Sequence, residues 1–152
     1  MTLSRKRMHK VLEIRERTLE ERAGALSQAH EGRDIAQEQA SSAALELQQA
    51  TEYREHLTTG AINVASWIDA EQWLVQRSRQ NNLAQRRLQG AEALVVQAYE
   101  GVIEARSGVK RIELLDRRLA DKELRQQERL EQKANDEHAQ RKFSVPRKTE
   151  SE

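Results

Sequence analysis

The chain has 152 residues, of which 34% are charged and 3% aromatic, with one proline and no cysteine. The charged fraction exceeds the average of about 25%, and the composition is typical of long helices or a coiled coil rather than a globular core. The net charge of +1 gives no overall field for nucleic acid, and the absence of cysteine excludes a disulfide scaffold. No apolar run follows the basic N-terminus, so we expect neither a secretory signal nor a membrane span, and a cytoplasmic protein.

The first predicted element is a helix over residues 2–58. Apolar residues recur there at alternating steps of three and four, and alanine returns every seven residues at Ala29, Ala36, Ala43 and Ala50. A seven-residue apolar repeat places one stripe of a helix against a neighbouring helix. Alanine within that stripe predicts that the two backbones approach closely.

The pattern breaks at the Thr-Thr-Gly sequence of residues 58–60. Gly60 suits the left-handed conformation that ends many helices. Ser66 followed three residues later by Asp69 resembles a capping box and predicts where the next helix starts. We therefore expect a tip loop over residues 59–65.

The second predicted helix covers residues 67–141 and carries its own alanine ladder at Ala84, Ala91, Ala98 and Ala105. Its seam is apolar from Ala84 to Ile112 and becomes polar beyond Leu119, which is typical of a helix that needs a partner or frays. Residues 143–152 are predicted to be a disordered tail. Residues 1–142 then form a single domain.

Two mirrored alanine ladders on either side of a break predict an all-α fold, a long antiparallel two-helix coiled coil (an α-hairpin) with an alanine-rich seam. A turn centred between residues 65 and 66 pairs Leu57 with Leu74, Ala43 with Leu88 and Ala36 with Val95. Large side chains then face small ones. The same register pairs Arg15 with Asp116 and Met8 with Glu123, but it leaves Arg54 facing Arg77. A register one heptad further relieves that clash and pairs Arg22 with Asp116.

The rival architecture is a parallel homodimer. It would stack four arginines on their own copies in the seam, which is costly because buried like charges lack partners. We therefore expect the chain to be a monomer on its own. Four of its arginines carry this argument: Arg15, Arg22, Arg33 and Arg54.

No phosphate-binding loop and no nucleophile motif is present. No histidine has a second histidine four residues away, and a two-helix hairpin offers no concave pocket for a substrate. We expect no enzymatic activity, no metal site and no cofactor.

Residues 57–76 contain only two charged groups, Asp69 and Glu71. The apolar side chains of this stretch allow two interpretations, a hydrophobic cap that closes the hairpin or a recognition patch for another protein. Trp73 is the first candidate for a binding hot spot, since tryptophan dominates such sites. The stretch gathers eight apolar residues: Leu57, Ile62, Val64, Trp67, Ile68, Trp73, Leu74 and Val75.

The opposite end is charged. Three interpretations are open for its basic residues: a solvated helix face, a surface for an acidic protein, or a nucleic-acid site. The last is weak because no aromatic residues interleave with the basic ones. The residues concerned are Arg5, Lys6, Arg7 and Lys10, together with Arg125, Arg129, Lys133, Arg141 and Lys142.

The chain resembles the FliJ family of flagellar type III export stalk proteins, which are themselves similar to injectisome stalk proteins. The resemblance is carried by Glu52-Tyr53-Arg54, by Trp67-Ile68 and Gln72-Trp73, and by residues 131–141 with their Glu-Gln-Lys, Asp-Glu and Ala-Gln-Arg sequences. Tyr53 and Trp73 match family aromatics, although the second is usually Phe. Four other positions depart from the more apolar family pattern: Gln49, Arg77, Asn135 and His138.

The resemblance implies a non-enzymatic stalk that links a hexameric export ATPase (FliI-like) to the cytoplasmic part of the export gate (FlhA-like) and assists export chaperones. It places the protein in the cytoplasm, peripherally at the inner face of the cell membrane. The implied gate-binding residues are Tyr53, Leu57, Trp67, Ile68, Gln72 and Trp73. The implied ATPase-binding residues are Arg5, Arg7, Lys10, Lys133, Asp136, Glu137, Gln140 and Arg141.

Two other functions remain open from the sequence. One is a general coiled-coil adaptor or chaperone escort without an ATPase role. The other is a structural coiled-coil homodimer.

Overall fold

The computed structural model describes residues 3–144, which form two long helices, α1 (Leu3–Leu57) and α2 (Val64–Ser144). The two helices pack against each other, so the predicted all-α hairpin is confirmed. The chain divides into two compact units. One consists of residues 16–106 and contains the turn, and the other combines, within the described range, residues 3–15 with residues 107–144.

The turn between the helices occupies residues 58–63. The backbone N–H of Thr58 donates to the Glu55 carbonyl at 3.2 Å, and its hydroxyl donates to the same oxygen at 2.7 Å. These bonds satisfy a carbonyl in the last turn of α1, where carbonyls lack partners within the helix. Gly60 then has the predicted positive φ, at 98°, which reverses the chain.

The start of α2 is capped by Asn63 rather than by the predicted Ser66. The Asn63 side-chain oxygen accepts hydrogen bonds from the backbone N–H groups of Ala65 at 3.1 Å and Ser66 at 3.4 Å. Asparagine is among the best N-cap residues because it offers this acceptor to otherwise unpaired donors. The second helix consequently begins at Val64, ahead of the predicted residue 67.

The seam of the unit formed by residues 16–106 is built mainly from alanine. Ala40 is 1% exposed, Ala50 0% and Ala70 1%, whereas the larger Leu88 retains 9%. Ala36, Ala40 and Leu88 form one buried cluster, against which Ala84 and Ala91 pack. A narrow seam of this kind has little space for large side chains, so these are left at its edges.

The predicted register is wrong by one heptad. Leu88 packs with Ala36, whereas the sequence pairing placed it opposite Ala43. The true turn lies nearer to α1 than the assumed centre between residues 65 and 66, and every layer moves with it. The shift also removes the expected clash of Arg54 with Arg77, because Arg54 instead pairs with Glu71 at 3.0 Å.

In the other unit, Val109 is the buried seam residue, 8% exposed. Half-buried side chains recur along α2 as far as Glu123, whereas residues 124–144 are all exposed, as the polar seam predicted. Phe143 and Ser144, which were predicted to belong to the disordered tail, are helical. Residues 145–152 of that predicted tail lie outside the described part of the chain.

Candidate functional site

An aromatic pair stands at the edge of the alanine seam near the turn. The rings of Tyr53 on α1 and Trp73 on α2 meet edge to face, with centroids 5.8 Å apart and planes at 73°. This is the favoured arrangement of two aromatic rings, because the positive edge of one meets the negative face of the other. Tyr53 remains 45% exposed, so the pair is available on the surface.

Arg77, which lies on α2 like Trp73, contacts the Trp73 ring. Its guanidinium carbon lies 5.9 Å from the centre of the Trp73 ring. The same guanidinium donates to the Glu46 carboxylate of α1 and to the Gln80 side-chain oxygen, the latter at 2.9 Å. The orientation of Trp73 is therefore set by an ion pair between the helices as well as by ring contact.

Sequence reasoning missed the role of Glu46 and Arg77. It treated Arg77 as a like-charge clash with Arg54 and as a departure from the more apolar family pattern. The available signal was Arg77 four residues after Trp73, a spacing that places two side chains on the same face of a helix. The partner Glu46 could be found only with the correct register.

Most of the other large apolar side chains near the turn are exposed. Ala50 and Ala70 fill the seam here, and the bulky residues lie outside it. Leu57 is half-buried and Gln72 is exposed. We call the following residues the tip surface: Tyr53, Ile62 (56% exposed), Val64 (66%), Trp67 (38%), Ile68 (46%), Trp73 and Val75 (47%).

The start of α1 pairs with α2 through Arg5. Its Nε donates to the Asp116 carboxylate at 3.1 Å, and its Nη1 lies 3.5 Å from Glu123. The hydrogen bond from Arg5 holds the pKa of Asp116 below its ordinary value of 3.8, while burial opposes this shift. Nε2 of His9 lies 4.0 Å from the same carboxylate.

These contacts correct two predicted pairs. Asp116 and Glu123 both meet Arg5, rather than Arg15 and Met8 respectively. The Arg15 side chain instead crosses over Gly108, where a Cβ placed on the glycine would lie 3.8 Å from the arginine Cδ. An arginine at a predicted seam position is thus accommodated by a glycine across from it, and its side chain remains exposed.

We call residues 124–144, which continue α2 past its contacts with α1, the terminal segment. The five α2 residues predicted to bind an ATPase lie in it and are exposed: Lys133, Asp136, Glu137, Gln140 and Arg141. Of the three predicted on α1, Arg7 and Lys10 are exposed and Arg5 is engaged by Asp116 and Glu123. The structure does not bring the predicted ATPase-binding residues of α1 and α2 together. Arg5 contacts Glu123, whereas Lys133 lies ten residues further, about 15 Å along the helix.

Two further features of residues 3–144 bear on chemistry. No group of three or more His, Asp or Glu side chains in this range is arranged to hold a metal ion. Neither helix has, within this range, an apolar stretch that could cross a bilayer.

Comparison with known proteins identifies the family. The sequence profile of the family described as flagellar FliJ protein matches residues 4–148, nearly the whole chain. Comparisons with curated proteins and with solved structures found no match. The family is a non-catalytic component of flagellar protein export. The chain therefore belongs to the flagellar FliJ protein family.

Proposed function

We propose that this protein couples the export ATPase to the export gate and assists delivery of chaperones and their substrates. Its partners would be a hexameric FliI-like ATPase, the cytoplasmic part of an FlhA-like gate and export chaperones. It would act in the cytoplasm, peripherally at the inner face of the cell membrane. The observation that carries the proposal is the chemical contrast between the largely exposed, apolar tip surface and the exposed, charged terminal segment.

The tip surface supports the gate contact. Seven aromatic or aliphatic side chains occur there in a stretch with few charges. Clusters of partly exposed aromatic residues supply most of the binding energy in protein interfaces. Trp73 is contacted by both Tyr53 and Arg77 before any partner arrives, so little conformational entropy is lost when a partner binds.

The terminal segment supports the ATPase contact. It is helical, the described part of α1 does not cover it, and its charges of both signs are exposed. Exposed charged groups form contacts that can be broken and remade as a partner changes state. A single helical segment inside a six-fold ring meets each subunit differently, and such differential contacts are what shift conformational equilibria.

The first test removes the terminal segment from residue 131 onward. We expect loss of ATPase stimulation and retention of gate binding, measured by ATP turnover and by isothermal titration with the gate's cytoplasmic domain. A full-length variant with Lys133→Glu and Arg141→Glu should weaken stimulation without shortening the chain. Its matched control is Arg86→Glu with Arg111→Glu, which reverses two exposed charges outside this segment.

Unchanged stimulation in both the truncated and the charge-reversed proteins would overturn the assignment of the ATPase contact. Binding of gate and chaperones with no effect on ATP turnover in the intact protein would favour the alternative of an adaptor or chaperone escort.

A further inference from the structure

A second exposed apolar stripe lies on α2 away from the tip surface. Val96 is 57% exposed, Tyr99 56% and Ile103 51%, and their spacing of three and four residues places them on one face of the helix. The seam uses the neighbouring positions Val95 and Val102, which are half-buried. The stripe is therefore additional to the contact of α2 with α1, and it has the spacing of a face that packs against another helix.

Opposite charges flank this stripe at equal distances. Glu92 precedes Tyr99 by seven residues and Arg106 follows it by seven, so the three share one face of the helix. Both charged side chains are exposed, and neither forms an ion pair with another residue of the described range 3–144. Along the helix the order is acid, apolar stripe, base, with Tyr99 at its midpoint.

This order is complementary to itself when reversed. We propose that a second copy of the chain docks on this face, with the two α2 helices antiparallel and the two-fold axis at Tyr99. Glu92 of each copy then lies opposite Arg106 of the other, and Val96 lies opposite Ile103. Such reciprocal contacts are the defining property of a two-fold symmetric interface.

The charge order selects this occupant over an unrelated helix. Three exposed apolar residues alone would accept many amphipathic helices. The equal spacing of acid and base about Tyr99 makes this face complementary to the same helix running the other way, whereas an unrelated helix would need to carry the same charge order. The proposal is independent of the proposed coupling function, since it uses neither the tip surface nor the terminal segment.

The association is expected to be weak. About three turns of one helix provide less than the roughly 1,200 Å² that stable interfaces bury, so the contact belongs with transient ones. Its two exposed ion pairs make it sensitive to salt. The single hairpin then predominates at micromolar concentration, and the pair forms when copies are brought close together.

The test is sedimentation equilibrium of the full chain from about 10 µM to about 1 mM at low salt. We expect a monomer–dimer equilibrium that Glu92→Arg and Arg106→Glu each weaken about fivefold to tenfold, because each variant creates two like-charge contacts per dimer. The double variant Glu92→Arg with Arg106→Glu reverses both charges and should return the dissociation constant to within about threefold of the original.

Tyr99→Arg provides a second probe, since it places two cations at the symmetry axis and should abolish the dimer. Circular dichroism of every variant establishes that the helices remain folded. A protein that stays monomeric at about 1 mM overturns the proposal. A dimer that persists in Tyr99→Arg overturns the proposal equally, because the contact then lies elsewhere. Failure of the double variant to restore the dissociation constant also overturns it, because Glu92 and Arg106 then do not pair with each other.

Discussion

The tip surface and the terminal segment expose their side chains for different physical reasons. At the tip, two helices face each other, but Ala50 and Ala70 fill the space between them, and the aromatic side chains are left at the edge. Along the terminal segment, no part of α1 within the described residues covers the side chains, and charged groups surround a single helix. The comparison shows that a seam made narrow by alanine leaves apolar side chains exposed even where two helices pack against each other.

The largest expected effect is that of Trp73→Ala on gate binding. Trp73 meets Tyr53 at 5.8 Å and is the best-held aromatic residue of the tip surface. We expect the dissociation constant for the gate's cytoplasmic domain to rise about 30-fold or more, which is the effect of losing a hot spot worth at least about 2 kcal/mol. Isothermal titration measures it, with helicity followed by circular dichroism.

Leu94→Ala is the matched control for that experiment, since Leu94 is 59% exposed on the same helix but lies outside the tip surface. Equal losses of affinity in both variants would contradict the proposal that the tip surface is the gate-binding site. Loss of most helicity in Trp73→Ala would instead favour the interpretation of the aromatic residues as a hydrophobic cap.

The next effect concerns the width of the seam. Ala50 is fully buried, so Ala50→Leu forces extra methyl groups between the helices. Overpacking of this kind costs about 1–3 kcal/mol. Urea unfolding should show that decrease for Ala50→Leu, whereas Ala44→Leu changes an exposed alanine of the same helix and should leave stability nearly unchanged. Similar stability of the two variants would mean that alanine does not set the spacing.

The sequence predicted the seam well because a heptad pattern is a local property. Apart from Arg15 and Arg22, the predicted seam positions of α1 from Met8 to Leu57 are buried or half-buried. On α2 the predicted loss of the seam is seen immediately after Glu123. Gly60 was also predictable, since only its conformational freedom suits a φ of 98°.

The register was not predictable from the same pattern. Alanine ladders look alike after a shift of one heptad, so layers such as Ala36 or Ala43 against Leu88 fit almost equally well. The distinction rests on interactions at the edges, where Arg54 meets Glu71 and Arg77 meets Glu46. The guanidinium of Arg77, which pairs with Glu46, also lies over the Trp73 ring, so the geometry around Trp73 depends on the register and could not be predicted from the sequence.

A smaller effect is expected for the contact between Arg77 and Glu46. Arg77→Met removes both the ion pair and the cation over the Trp73 ring while keeping a long side chain. Because the pair is partly exposed, a double-mutant cycle with Glu46→Gln should give a coupling of about 0.2–1 kcal/mol in urea unfolding. Strict additivity would show that the two side chains do not support each other.

The smallest effect is the pH dependence of the contact between Arg5 and Asp116. Arg5 lowers the pKa of Asp116 in the folded protein, so between that lowered value and the ordinary 3.8 the unfolded chain binds more protons and stability rises with pH. The contribution is complete above the ordinary value and disappears as the pH falls through the lowered one. Asp116→Asn should therefore differ from the original protein at neutral pH and converge with it in acid.

Hydrogen exchange of the backbone N–H groups of residues 3–15 measures this difference where it arises, because opening of the start of α1 breaks the Arg5 contacts. Asp121→Asn is the control, since Asp121 is an exposed carboxylate of the same unit. A gap between Asp116→Asn and the original protein that persists far below pH 3.8 would show that the ion pair is not its cause. Convergence would establish that charge holds this end of α1, whereas alanine packing holds the seam near the turn.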